Sequence, residues 1–198
     1  MRRALVAGGY DIVRPTYGVH DSPWAAQRHL VPKPATILDV GANLGQSATE
    51  YARLFPGARI YSFEPFAETY AKLVERVREL PDVTPCNLAV TARPGTEKLY
   101  VNQRSSTNSL LPVAATAGRY VEDAPMRARL EVDVRCTSID AFCADRGVDA
   151  VGILKIDVQG GEAEVLRGAS GMLARGAVGI VYSEVFFALL YQDQALFG

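Results

Sequence analysis

Four ionisable side chains in the last quarter of the chain have the types and spacing to do chemistry. In the run 152–158 (GILKIDV), extended geometry places Ile153, Lys155 and Asp157 on one face and Leu154, Ile156 and Val158 on the other. A central parallel strand is covered on both faces, so Lys155 is not freely solvated and needs a partner; Asp157 is within reach on its own face. The turn 159–162 (QGGE) carries Glu162 into the first turn of a following helix, and Glu184 ends the next apolar run, 178–186. If those two strands are neighbours, Asp157 and Glu184 stand side by side at the carboxyl ends of the sheet, where open α/β sheets bind ligands. Paired carboxylates beside a lysine can hold a hydroxyl, act as a base or take a metal ion such as Mg2+, with Asp157 and Glu184 as its ligands. The alternatives are a structural ion-pair network and, for Glu162, a simple complement to the helix dipole.

A second constellation lies upstream. Residues 36–46, TILDVGANLGQ, read as strand, glycine turn and helix start, with Ala48, Tyr51, Ala52 and Phe55 at helical spacing. Some twenty residues later, 60–65 (IYSFEP) ends a second strand in Glu64, fixed by the proline behind it. An acid in that place accepts hydrogen bonds from two ribose hydroxyls, whereas otherwise it is a solvated strand end. The turn reads GxNxG, with Asn43 and Gln46 where a dinucleotide fingerprint has glycines. Asn tolerates left-handed backbone, and the missing third glycine favours a nucleoside cofactor without a pyrophosphate. Asp39, inside an otherwise apolar strand, either supports the turn and the cofactor's charged end or is a structural acid bonded to backbone amides.

The elements that must position these residues alternate. Strands are expected at 36–40, 59–63, 83–90, 152–158 and 178–186, and helices at 45–55, 66–80, 138–146 and 162–173, with a last helical turn or two to Phe197. Such alternation implies a mostly parallel sheet with right-handed crossovers. Residues 95–102 and 129–139 alternate with period two and predict an antiparallel pair added at the sheet's periphery, an insert spanning 95–137. Between them, 105–126 reads as a binding lid or a surface excursion. Residues 1–35, broken by four prolines, form an N-terminal cap segment in which Trp24 and Leu30 suggest a short amphipathic helix packing onto the domain of 36–198 or covering a site.

The chain has 198 residues, a formal net charge of −1 and three cysteines without CxxC spacing. That suits one domain, gives no basic field for nucleic acid and argues against a disulfide framework or zinc site. No run reaches membrane length, and the expectation is a cytoplasmic protein without membrane partners. His20 and His29 are isolated and read as surface or packing residues. No serine-nucleophile elbow or P-loop is present.

Taken together, ILDVGANLGQ, YSFEP, TSIDAF, LKIDVQGGEAEVLRGA and YSEVFF with the later LYQ resemble the FkbM-type methyltransferases from about Thr36 to the end of the chain. The resemblance implies a Rossmann-like, class I fold and transfer of a methyl group from S-adenosylmethionine, usually to an oxygen on a sugar or natural product. It implies that Asp39, Gly41, Asn43 and Gly45 line the methionine end of the cofactor, that Glu64 binds its ribose, and that Asn87 to Ala89 flank the adenine, although no acid stands there. It further implies that Lys155, Asp157, Glu162 and Glu184 face the transferred methyl. A nicotinamide-dependent oxidoreductase shares the turn and the ribose acid but lacks here a Tyr-x-x-x-Lys pair; a cofactor-binding module without catalysis is the other competitor. The family's sheet ends in a hairpin for which this sequence has no room. VGIVYSEVF is then an exposed edge, which implies either a shortened form of a longer protein or a covering partner subunit, such as a second copy.

Overall fold

The computed structural model describes residues 22–120 and 128–196. Its central sheet has five parallel strands in the order β3-β2-β1-β7-β8, built from β1 (Thr36–Val40), β2 (Arg59–Phe63), β3 (Val83–Cys86), β7 (Val151–Ile156) and β8 (Val178–Ser183). Period-two alternation sorts its side chains into two cores. Leu38, Val40, Phe63, Leu154 and Ile156 pack on one face against α4 (Ile139–Arg146), α5 (Glu162–Arg167) and α6 (Ser170–Ala174), through Phe142, Val165 and Met172. Ile37, Ile60 and Ile153 pack on the other against α2 (Gln46–Leu54) and α3 (Ala67–Val77), through Tyr51 and Leu73.

The short helix α1 (Pro23–Leu30) starts at Ser22, whose hydroxyl accepts from the Ala25 amide at 3.2 Å, with proline in its first turn. Trp24 meets Tyr51 edge-on at 5.1 Å, and the Tyr51 hydroxyl donates to Gln27 Oε1 at 2.8 Å. α1 therefore packs onto the domain; Leu30 turns to solvent rather than inward. His29 is exposed on this helix, and His20 lies outside the described residues.

Four expectations need correction. The run 83–90 is two strands, because Asn87 leaves the ladder: β3 ends at Cys86 and β4 (Ala89–Val90) belongs elsewhere. β4 joins β6 (Ala128–Thr137) and β5 (Gly95–Asn102) in a second sheet of order β4-β6-β5, around its own small core of Leu99, Val101, Val134 and Cys136. The insert thus forms a side sheet and is not an extension of the central one. The helix expected at 162–173 breaks after Arg167, where Gly168 passes so close to Thr91 that a Cβ would sit 2.1 Å from its carbonyl oxygen. The Asp140 carboxylate then accepts from the amides of Gly171 and Met172 and starts α6 afresh. Finally, β8 ends at Ser183, and the segment after it is not helical: Tyr191 pairs with Val113, and the Gln194 side chain accepts from the amides of Leu190 and Tyr191. Phe197 lies outside the described residues. β8 is an edge strand, as expected, with Val181 and Tyr182 exposed.

Candidate active site

Register builds the site rung by rung on the α2/α3 face of the sheet. The lowest rung, Ile37, Ile60 and Ile153, is apolar. The next, Asp39, Ser62 and Lys155, is polar and buried. Asp39 Oδ1 pairs with Lys155 Nζ at 3.1 Å, while its Oδ2 accepts from Ser47 Oγ at 2.7 Å and Ser62 Oγ at 3.4 Å. Lys155 also donates to the Gly41 carbonyl at 2.9 Å and stands 3.7 Å from Asp157. Its partner is thus chiefly Asp39 across the β1–β7 pair rather than Asp157. Burial works against the Lys155 charge, but Asp39 and Asp157 outweigh it and raise its pKa. Asp39 and Lys155 accordingly lie beneath the glycine turn; neither lines the cavity above it.

The top rung, Gly41, Glu64 and Asp157, opens into a cavity of about 660 Å³ between the carboxyl ends of the central strands and the side sheet. Gly41 has φ 79°, and a Cβ there would lie 1.8 Å from the Asp157 carbonyl oxygen. Its missing side chain admits the neighbouring strand's backbone as well as leaving the floor open. Asn43 takes the left-handed backbone expected of it, φ 47°, and lines the cavity. Gly45 is left-handed too, φ 85°, but does not line the cavity: it faces Leu73 and Arg76 of α3, a helix-packing contact.

Glu64 follows β2, is buried and lines the cavity floor. Burial pushes its carboxyl up to about 7, against the pull of the Phe66 and Asn43 amides and the Lys155 charge. Asn87, expected beside an adenine, turns away: its amide donates to the carbonyls of Glu64 and Pro65, both at 2.9 Å, and so holds the turn that aims Glu64. Leu88 and Ala89 provide the apolar wall instead.

Asp157 and Glu184 do stand side by side; the Glu184 amide continues the β7–β8 ladder by donating to the Ile156 carbonyl. Between them Gln159 Nε2 donates to Asp157 Oδ1 at 2.9 Å and to Glu184 Oε2 at 3.0 Å. Burial, then Asp157 and Glu162, raise the Glu184 pKa, with Gln159 and Lys155 opposing. Glu162 does not face this space: its carboxylate accepts from the amides of Val158 and Gly160 and staples the turn, a role beyond the dipole. Among the described residues no group of three or more His, Cys, Asp or Glu is placed to hold a metal ion. The space between the two carboxylates is taken by the Gln159 amide NH2 group, which is a donor and not a ligand, so nothing in the site supports the Mg2+ role expected of Asp157 and Glu184.

Of the stretch 105–126, residues Ser105, Ser106 and 108–111 line the cavity, and residues 121–126 lie outside the described residues. Ser105 Oγ donates to Asn43 Oδ1 at 3.2 Å and Ser109 Oγ to the Gln159 carbonyl at 2.7 Å. Sequence reasoning did not single out Gln159, these serines, or the fully buried Tyr191. Gln159 was detectable as the one uncharged polar residue between an acid and two glycines, and Tyr191 stands in the motif LYQ, to which no role was assigned.

The chain is similar to several known methyltransferases. The chain is 24% identical over 170 residues to the 2-O-methyltransferase NoeI of Sinorhizobium fredii, covering 83% of this chain and 69% of that protein. It is 29% identical over 153 residues to the 31-O-demethyl-FK506 methyltransferase FkbM of Streptomyces tacrolimicus, covering 67% and 58%. The crystal structure of a methyltransferase FkbM from Methylobacillus flagellatus overlaps 72% of this chain and 30% of its own, at 16% identity and a TM-score of 0.46. No helix among the described residues is long and apolar enough to cross a membrane. Residues 39–198 match the profile of the methyltransferase FkbM domain, and the chain belongs to that family.

Proposed function

We propose that this protein uses S-adenosylmethionine to methylate a hydroxyl group on a small molecule, a sugar or natural-product scaffold. The observation that carries this is the cavity floor: a buried carboxyl, Glu64, at the end of the second strand, opposite an apolar wall at Leu88 and Ala89 and beside the open Gly41 turn. Those groups suit a ribose, an adenine and the amino-acid end of the nucleoside, so the residues present fit the cofactor. The names of the two O-methyltransferase relatives support oxygen as the acceptor atom.

The cofactor supplies a methyl group already activated on a sulfonium. What remains for the protein is mainly positioning. Glu64 accepts from the ribose hydroxyls, Asn87 keeps the Glu64 backbone in place, and the Asp39–Lys155 pair fixes the Gly41 carbonyl. Asp157, half-exposed at the rim, is the group placed to accept an acceptor hydroxyl's proton, with Glu184 beside it. The segment 105–111, which lines the cavity, is the part of the chain proposed to shield the reacting groups from water. In this reading the carboxylate base lowers the cost of deprotonating the hydroxyl.

The test is a thermal shift with S-adenosylhomocysteine and with NADH, followed by transfer of labelled methyl to a panel of sugar and polyketide hydroxyls. S-adenosylhomocysteine should raise the melting temperature, as a native-state ligand must, and Asp157→Asn should keep that shift while cutting transfer about a hundredfold. A shift with NADH alone would favour the oxidoreductase; binding without transfer to any acceptor would favour the inactive module; full transfer by Asp157→Asn would remove the base.

A further inference from the structure

Gln159 has a backbone conformation that its side chain makes costly and a hydrogen-bond inventory that is completely used. Its φ of 58° lies in the left-handed region, which glycine adopts freely and glutamine does not. The next residue, Gly160, is also at positive φ, 103°, so two successive residues of the turn have positive φ. Strain of this kind persists where surrounding contacts over-determine it. Here those contacts are four. The two amide hydrogens go one to Asp157 Oδ1 and one to Glu184 Oε2, at 2.9 and 3.0 Å. Oε1 accepts from the Tyr191 hydroxyl at 3.0 Å, whose single hydrogen is shared with the Thr107 carbonyl at 3.2 Å, and the backbone carbonyl accepts from Ser109 Oγ at 2.7 Å. The amide has one workable orientation, because its oxygen turned toward two carboxylates would leave three acceptors facing one another.

Two of those partners belong to the cover of the cavity. Ser109 is in the lid. Tyr191 belongs to the segment after β8, and its ring fills the place where a side chain on Gly160 would go, 3.0 Å from the Cβ position. Lid and segment are themselves strapped together: the Ala114 amide donates to the Leu190 carbonyl at 2.9 Å and the Gln192 amide to the Pro112 carbonyl at 2.8 Å. Gln159 is thus the point where the cover meets the two carboxylates at the reacting end.

We propose that Gln159 is a positioning residue that holds the Asp157 and Glu184 carboxylates in a fixed fork and ties that fork, through Tyr191, to closure of the lid and the segment following β8. The inference rests on the methyltransferase reading for its purpose, since it says which residue aims the base. A neutral amide suits this role because it gives one hydrogen to each carboxylate. A glutamate in its place would add a third acid; an aliphatic chain would leave two carboxylates repelling each other.

The readout is made on the protein alone. The charged and titratable groups around Glu184 are Asp157, Glu162, Lys155 and Tyr191. In Gln159→Leu, the Glu184 carboxyl, followed by carbon-13 NMR, should titrate at least about half a pH unit higher than in the wild type, because an ionic hydrogen bond is lost while Asp157 remains. Amide hydrogen exchange at Ala114 and Gln192 should quicken by about tenfold or more as the strap loosens. Tyr191→Phe leaves both carboxylates and Gln159 in place; it should move both readouts the same way by a smaller amount, and it carries the test if Gln159→Leu does not fold. An unchanged Glu184 midpoint, or unchanged exchange at Ala114 and Gln192, in a folded variant would reduce Gln159 to a turn residue and overturn the proposal. A wild-type protein that ignores S-adenosylhomocysteine would instead overturn the methyltransferase reading, and the two failures are read in separate experiments.

Discussion

If Glu64 holds the ribose, affinity for the nucleoside must depend on pH in a way this one carboxyl dictates. Burial raises its pKa to about 7, and only the ionised form accepts from both hydroxyls. With that midpoint it is about one tenth ionised at pH 6 and about nine tenths at pH 8. The dissociation constant of S-adenosylhomocysteine should therefore fall about tenfold between those values, then level off. Glu64→Gln should weaken binding at pH 8 by about 10- to 100-fold, the loss of roughly one charged hydrogen bond, and should flatten the pH profile. The free protein carries the complementary signature. The folded-state pKa is raised from 4.5, so the group's stability contribution is fully present below about pH 4.5 and is lost as pH rises through 7. At 1.36 kcal/mol per unit, that window is worth at most about 3 kcal/mol, and Glu64→Gln should remove this slope from a urea-denaturation series. Isothermal calorimetry at pH 6, 7 and 8, wild type against Glu64→Gln, decides the matter. Flat wild-type affinity across the range, or a variant that binds as tightly as the wild type at pH 8, would refute the ribose assignment.

Other expectations concern the scaffold. Lys155→Met strands Asp39 in the core and should destabilise the protein by about 3–5 kcal/mol, whereas Lys155→Met with Asp39→Leu should recover much of the loss; equal destabilisation in both, measured by urea denaturation, would show that the pair is not what is being broken. Gly41→Ala combines a positive φ with a Cβ only 1.8 Å from the Asp157 carbonyl oxygen, and should cost more than about 3 kcal/mol or prevent folding; a normal melting curve would contradict the close approach of β1 and β7. The exposed β8 edge, with Val181 and Tyr182 facing outward, should drive concentration-dependent self-association that Val181→Lys suppresses, as seen by multi-angle light scattering; a strict monomer at all concentrations would show the edge to be protected.

Much of the framework was legible in the residues because it is local. Apolar alternation with single acids at strand ends marked β1, β2 and β7, and the parallel order followed from strand–helix alternation. Glu64, Asp157 and Glu184 were found as strand-end acids, and the glycine turn by its spacing. Where the reading failed, the cause lay in a remote segment. Asn87 was legible as a strand-end polar residue, but that its amide would bind the Glu64 and Pro65 carbonyls depends on β2 lying beside β3. The helix break at Gly168 was invisible because it answers to Thr91, far away in sequence.

What the sequence by itself determined is which acids end strands and that the candidate site lies at the carboxyl ends of a mostly parallel sheet. Tertiary structure alone decided who partners whom. Lys155 sits within reach of two acids, and only strand register made Asp39 the nearer at 3.1 Å. Glu162 could have faced the site or the turn, and the curl of the 158–160 backbone drew its carboxylate to the turn amides. Gln159 gained its role from residues 50 positions before it and 32 after it, brought together by the fold. The reason is physical: propensity and periodicity act over a few residues, whereas the partner of a buried charge is set by distances of a few ångströms between segments that the chain separates widely.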